Sequence, residues 1–474
     1  MLAEAQLLLG LAIDRQRSDE ERALALLRDA AWTAQRSGHE RVLIRASAAM
    51  ANIFGTDQAK LELAKTWAEL ARASFVHHGE DLDIEAEVRG HLGELAMIIG
   101  DYDAALAEYG RALEHARERQ GERSQAHIEA LRMIGDAHRE LGHYPEAREA
   151  LERARELARA SLGEAHPLIP AILDALGNLE SAQGKFDEAL ALHREAMDIN
   201  AQIYGRDHRR VATNLNNLAI IYDETGRYSE ALETLERARE ILVKELGADH
   251  PDVAYVDVNV GSALQNLDRD DEALARYEAA LTALEDSLGP DHMAVGVTLQ
   301  NLGSVRSSLG DYRGALADFT RSQAVLEQAF GPEHPSIAAL ETNRAAALRA
   351  LDRHDEALAA GQRALRMREA IFGREHSELV EVLASLAKTE RALGNTARAR
   401  THLERALALV SDGNTPTEHA DVRMELANIL VDDPQERERA ADLAREALAA
   451  VRVADAQEQD VAMIEAWLSD HGFE

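Results

Sequence analysis

Hydrophobic positions along this chain recur at helical spacing. In the stretch from Val211 to Pro251, Leu215, Leu218, Ala219 and Tyr222 fall on one face of a first helix, and Ala231, Leu235 and Ala238 on one face of a second. Gly226 separates the two, so the stretch predicts a helical hairpin. A lone hairpin cannot hide that much apolar surface, and stacked copies are needed to bury it.

Those copies are present. With the turn glycine as marker, Gly100, Gly142, Gly184, Gly226, Gly310 and Gly394 are joined by Asp268 and Asp352 to give eight units spaced 42 residues apart. Ala105, Ala147, Ala189, Ala231, Ala273, Ala315, Ala357 and Ala399 repeat in the second helices at that interval. Gly93, Gly135, Gly177, Ala219, Gly261, Gly303, Ala345 and Ala387 do the same in the first helices. Both series predict a crossing at which small side chains meet, because larger ones would push the helices beyond their ~8–10 Å packing distance.

The pattern divides the chain into three parts. Residues 1–82 read as degenerate N-terminal helical hairpins, with the spacing interrupted near Arg17 and Ser18. Residues 83–411 are the eight regular repeats, and 412–474 are an irregular hairpin and a C-terminal capping helix behind a polar loop at Ser411. Val461, Ile464, Trp467 and Leu468 form one apolar stripe on that last helix. A buried Trp467 is expected to hold the end of the stack, its loss destabilising the last repeats by roughly 3–5 kcal/mol. No polar capping repeat precedes the first helix at Ala3 to Ile13, so the chain is expected to be the C-terminal part of a longer polypeptide. Repeat seven carries Arg344 and Gly361 at positions that are bulky and apolar elsewhere, and Arg306 and Glu390 stand where Tyr222 does. Repeat seven is therefore expected to pack least well.

A second periodicity lies in the loops between units. His166, His208, His250, His292, His334 and His376 each follow a glycine by three residues, and proline follows three of them. The glycine suits a helix end and the proline suits a helix start. Successive histidines are separated by a whole repeat, far beyond the ~2 Å reach of a metal ligand, so they are expected to be structural and no metal is expected.

The positions Leu218, Ala219, Tyr222, Ala231, Leu235 and Ala238 resemble the tetratricopeptide repeat. The longer period, with Val243 where the usual late proline stands, is similar to the kinesin-light-chain type of repeat. The resemblance implies an all-α fold, a right-handed superhelical solenoid of antiparallel helix hairpins, about eleven of them, whose first helices line a concave groove. The ERALALLRDAAW segment near Ala23, the GxYxEAL repeats and the terminal IEAWL resemble the C-terminal repeat region of bacterial, myxobacterial-type serine/threonine protein kinases. That resemblance implies a non-catalytic recruitment or sensor module of such a kinase. A sensor array of a signalling ATPase or transcription regulator, and a free-standing scaffold, are alternatives.

Composition narrows the function. The chain carries 52 basic and 85 acidic side chains, a net charge of −33, which repels phosphate backbones and anionic membranes. Aromatic residues make up only 4%, leaving few platforms for stacked bases. No nucleic-acid or membrane partner is expected. Cysteine is absent, which removes thiolate chemistry and suits a reducing cytoplasm. No phosphate-cradling glycine loop, zinc-protease helix motif, nucleophile elbow or kinase motif set occurs, so no catalytic residue and no cofactor are expected. Charges on the second helices, such as Glu233, Glu236, Glu240, Glu245, Arg237, Arg239 and Lys244, read as a solvated outer face.

The candidate binding residues lie on the first helices. Asn217, Asn259, Asn301 and Asn343 stand one position before the Leu-Gly pair or its equivalent, flanked in register by Ala175 and Ser385. A carboxamide offers donors and an acceptor, so such a row can hold an extended peptide without reading its side chains. The family resemblance implies that use, while bridging between neighbouring helices is the alternative. Family register also places Arg349, Lys388 and Arg391 on this face, where they could receive an acidic side chain or a free carboxylate. Arg132 and Arg139 make a weaker case of the same kind.

Overall fold

The computed structural model describes residues 1–16, 20–56, 61–78, 82–332, 334–410, 416–453 and 458–473. The interruption expected near Arg17 and Ser18 and the polar loop beginning at Ser411 lie outside them. Among the described residues there are 23 α-helices and no strand, making eleven consecutive pairs and one final helix. The fold is all-α, as the periodicity and the family resemblance imply. None of these helices is long and apolar enough to cross a membrane.

The chain divides into two compact units, Met1–Met293 and Ala294–Glu474. The first holds α1 (Leu2–Gln16), α2 (Glu20–Ser37), α3 (Glu40–Thr56), α4 (Leu61–His78), α5 (Leu82–Ile98), α6 (Tyr102–Gln120) and α7 (Gln125–Glu140). It continues with α8 (Tyr144–Leu162), α9 (Leu168–Ser181), α10 (Phe186–Tyr204), α11 (Arg209–Glu224), α12 (Tyr228–Leu246), α13 (Pro251–Asn266) and α14 (Asp270–Leu288). The second holds α15 (Met293–Ser308), α16 (Tyr312–Phe330), α17 (Pro335–Ala350), α18 (His354–Phe372), α19 (Val380–Ala392), α20 (Thr396–Leu409), α21 (Pro416–Leu430), α22 (Arg437–Val453) and α23 (Glu458–Asp470).

In the eight regular repeats each first helix, α5 through α19, ends in a left-handed residue. Gly226 has φ 73°, and the Arg227 N–H reaches back to the Tyr222 carbonyl at 2.8 Å, closing the last turn. Asp268 and Asp352 take the same conformation at φ 56° and 58°, so the two gaps in the glycine series keep its geometry. Such a conformation is tolerated by aspartate better than by most L-residues.

The next helix pair starts on a histidine. Nδ1 of His208, His250, His334 and His376 accepts the backbone N–H two residues on, at 3.1–3.2 Å, and Nδ1 of His166 does so at 3.3 Å. Imidazole thus fills the N-cap position usually held by Ser, Thr, Asp or Asn. An aromatic residue four positions earlier stacks on the ring in three loops: Tyr204 on His208, Phe330 on His334 and Phe372 on His376, with centroids 4.2–5.1 Å apart.

The close crossing differs from the small-against-small expectation. Gly93, Gly135, Gly177, Gly261 and Gly303 each face the large side chain of the second helix, namely Tyr109, Leu151, His193, Tyr277 and Phe319. The glycine leaves the hollow into which that side chain packs. In repeat seven the pair is Ala345 and Gly361, and the space over Gly361 is taken by Leu386 from α19. Arg344 turns its guanidinium to Gln323 at 3.0 Å, so the departures in this repeat are compensated by neighbours.

Charges also enter the core. Asp257 and Glu341 occupy a first-helix position that is leucine at Leu215, Leu299 and Leu383, and both are buried. Arg239 and Arg276 bind Asp257 at 2.7 and 2.9 Å, and Arg363 binds Glu341 at 2.8 Å. Arg239, expected on a solvated face, therefore serves a buried acid. At the end of the second unit Ile464 and Leu468 are buried, whereas Trp467 is only partly covered, its Nε1 donating to the Asn428 side chain at 2.7 Å. The indole packs against this cluster and remains partly exposed.

Candidate functional site

The first-helix amides divide by what they touch. In the first unit the Asn259 amide donates to the Asn216 side chain on the preceding first helix at 2.7 Å. Asn266 reaches Asp223 in the same way at 2.8 Å, and Ser181 reaches Glu224 at 3.0 Å. A residue 43 positions on bridges to the previous repeat in each case. Asn259 thus takes up the bridging role. Asn217, beside Asn216 on α11, is half-buried and makes no hydrogen bond among the described residues.

Deeper in this unit, Asn214 donates to both carboxylate oxygens of Asp174 at 2.9 Å and accepts from Asn200 at 2.8 Å. The buried His193 ring joins at 2.9 Å from Asp174. Most of these polar groups pair with one another, and Asn200 Oδ1 is left buried without a partner. Arg132 pairs with Asp136 at 2.6 Å and Arg139 with Glu140 at 2.5 Å.

In the second unit Asn301 on α15 and Asn343 on α17 are half-buried and likewise unbonded among the described residues. Asn343 lines a cavity of about 190 Å³ together with Arg349, Ser385, Lys388 and Asp421. Three of the expected site residues are thereby brought to one place, walled by α17, α19 and α21. They do not share one state of charge pairing. Lys388 donates to both oxygens of Asp421 at 2.8 and 2.7 Å, and Arg391 pairs with Glu425 at 2.5 Å. Arg349 keeps Nη1 shielded from solvent and without a partner. Burial pulls its guanidinium below the usual value, against Glu425 and Asp421, which pull it up.

Asp421 and Glu425 carried no sequence signal. They belong to the irregular hairpin, where the 42-residue register that placed Lys388 and Arg391 has ended. Ser385 stood at the right register and could have been added to the asparagine row on that ground.

A helical-repeat array with polar first-helix faces defines the class. Tetratricopeptide repeat models match residues 84–160, 168–244, 252–328, 302–370 and 336–412, and a further one matches 132–202. These cover more than half of the chain, which belongs to the tetratricopeptide repeat family. No curated protein sequence matches it. Among solved structures, BtubC (BKLC) from P. vanneervenii is 25% identical, covering 49% of this chain and 92% of that one with a TM-score of 0.42. A putative kinesin light chain of Podosopora anserina, with nearly identical TPR-like repeats, is 22% identical over 44% of this chain and 98% of that one, with a TM-score of 0.37. The apo form of the quorum sensor NprR from B. thuringiensis is 17% identical over 75% of this chain and 99% of that one, with a TM-score of 0.52. This last likeness is one of fold.

Proposed function

We propose that the array is a protein-interaction scaffold that holds an extended peptide segment of its partner against the first helices, as a recruitment or sensor module in cytoplasmic signalling. The observation that supports this is the set of idle carboxamides. Asn217 in one unit, and Asn301 and Asn343 in the other, are partly exposed and unbonded, while Asn259, Asn266 and Asn214 on first helices are engaged. An amide side chain pairs with the donors and acceptors of a peptide backbone and gains most where no internal partner competes.

The test is affinity capture from the native cytoplasm followed by mass spectrometry. Changing Asn217, Asn301 and Asn343 to Ala together should leave the helicity intact and weaken capture, whereas Asn259→Ala should lower stability and leave capture unaltered. Capture unaffected by the triple change would move the binding face elsewhere. The link to a serine/threonine kinase rests on the ERALALLRDAAW and IEAWL segments, and a kinase motif set in the reading frame upstream of Met1 is its check.

A further inference from the structure

Second helices of successive repeats are joined by a recurring ion pair. Arg72 binds Glu108 at 3.2 Å, Arg159 binds Glu195 at 2.5 Å, Arg363 binds Glu327 at 2.5 Å and Arg405 binds Glu369 at 2.7 Å, each across 36 residues. Arg439 and Glu404 do the same across 35 residues, at 2.6 Å. Between α2 and α4 the contact is aromatic instead. Trp32 and Trp67, separated by the shorter of these two intervals, meet with ring centroids 5.9 Å apart and planes tilted at 59°.

The two indoles are not equally covered. Trp67 packs against the core of the N-terminal hairpins, whereas Trp32 is 47% exposed. Leu63, one turn before Trp67 on α4, is 49% exposed. An ion pair at a wet position leaves little apolar surface in water, and an indole there leaves much more. A half-exposed tryptophan braced by an aromatic neighbour is the residue type that anchors protein interfaces.

The charges around the ring select the partner. Arg28 and Arg36 stand one turn before and one turn after Trp32 on α2, both exposed, and neither forms an ion pair among the described residues. Asp29 lies on one flank of this stripe, and Glu69, two positions on from Trp67, points from another face of α4. Lys65 is held by Glu62 at 2.8 Å. The stripe is therefore apolar in the middle and positive at both ends. Residues 1–82 carry ten basic and twelve acidic side chains, against 52 and 85 in the whole chain, so an acidic partner is repelled least here.

We infer that the outer face of α2 and α4 around Trp32 is a docking surface for an acidic amphipathic helix of another protein. The apolar stripe of that helix covers Trp32 and Leu63, and its carboxylates reach Arg28 and Arg36 on either side. The surface lies outside the residues matched by the repeat models and belongs to second helices. It is thus independent of the first-helix face.

Two fluorescein-labelled helical peptides of about 15 residues, followed by anisotropy as the full chain is added, test the inference. One carries leucine at i, i+4 and i+7 with glutamate around them, and the other has glutamine in place of leucine. The leucine peptide should bind at least about tenfold tighter. Trp32→Ala should weaken it by about tenfold or more, and so should Arg28→Glu combined with Arg36→Glu. Arg313→Glu combined with Arg366→Glu, at exposed arginines of α16 and α18, changes the net charge equally and should leave binding as it is. Because Arg28 and Arg36 are exposed, their reversal should leave circular dichroism and melting temperature near the parent values, which separates lost binding from lost fold. A leucine peptide that does not bind, or that binds the reversed α2 as tightly as the parent, would overturn the site. Sedimentation in which Trp32→Ala converts a dimer of the chain alone into a monomer would give the surface to a second copy and overturn the acidic partner.

Discussion

Gly261 faces the ring of Tyr277 so closely that a Cβ added there would lie 2.6 Å from Cε1. The ring is almost wholly buried and cannot move aside. Gly261→Ala should therefore destabilise the first unit by about 1–3 kcal/mol, the usual effect of overpacking a filled core. Gly110, in the middle of α6, has nothing within 4 Å of the equivalent point. Gly110→Ala should stabilise by about 0.5–1 kcal/mol through helix propensity alone. Urea denaturation of the two variants reads the contrast, and equal shifts would show that Tyr277 is free to yield.

Gly361 tests compensation between repeats. By the pattern of its neighbours this position should be large, so Gly361→Leu looks like a repair. In the folded chain Leu386 already occupies the space, with Cδ2 2.8 Å from a Cβ placed at Gly361. Restoring the repeat pattern should cost about 1–3 kcal/mol. A raised urea midpoint for Gly361→Leu would mean that the hollow is open after all.

At the C-terminal end, the buried residue and the largest residue are different ones. Ile464 is 1% exposed and packs with Ala444, Ala447 and Leu468, whereas Trp467 remains partly exposed. Ile464→Ala should cost about 2–5 kcal/mol. Trp467→Ala should cost less than that, since part of its ring stays in water in the folded state. Thermal melts that rank the two the other way round would place the indole deeper than the structure does.

What could be read from the sequence, and what could not, follows from the period. Gly93, Gly135, Gly177, Gly261 and Gly303 were legible as small positions because one residue type recurs every 42 residues. The side chains that they receive were not, because Tyr109, Leu151, His193, Tyr277 and Phe319 share size and no single identity. Burial of Asp257 and Glu341 was hidden for a related reason. Each breaks a leucine column, and the arginines that neutralise it sit on second helices among many exposed charges. At the cavity, register located Asn343, Arg349 and Lys388, but the pairing of Lys388 depends on Asp421, in a hairpin without register. The histidine loops were recognisable as joints from their spacing alone. Their mechanism required the geometry of Nδ1.

That geometry makes stability at one joint depend on pH. His334 Nδ1 accepts the N–H of Ser336 at 3.2 Å while Phe330 stacks on the ring at 4.2 Å. An acceptor nitrogen must be unprotonated, and burial lowers the His334 pKa from its ordinary value of 6.5. With the folded value below the unfolded one, the unfolded chain binds more protons between them, so stability rises with pH across that interval. The contribution is complete above about 6.5 and is lost as the pH falls from there through the folded value. His334→Asn supplies a capping oxygen that does not titrate, whereas His334→Ala supplies none and should cost about 1 kcal/mol near neutral pH. Urea midpoints at about pH 7.5 and pH 5.5 should therefore fall less with acid in His334→Asn than in the parent chain. An acid-induced fall of the same size in both would assign that loss of stability to other groups and leave the His334 cap without a role in it.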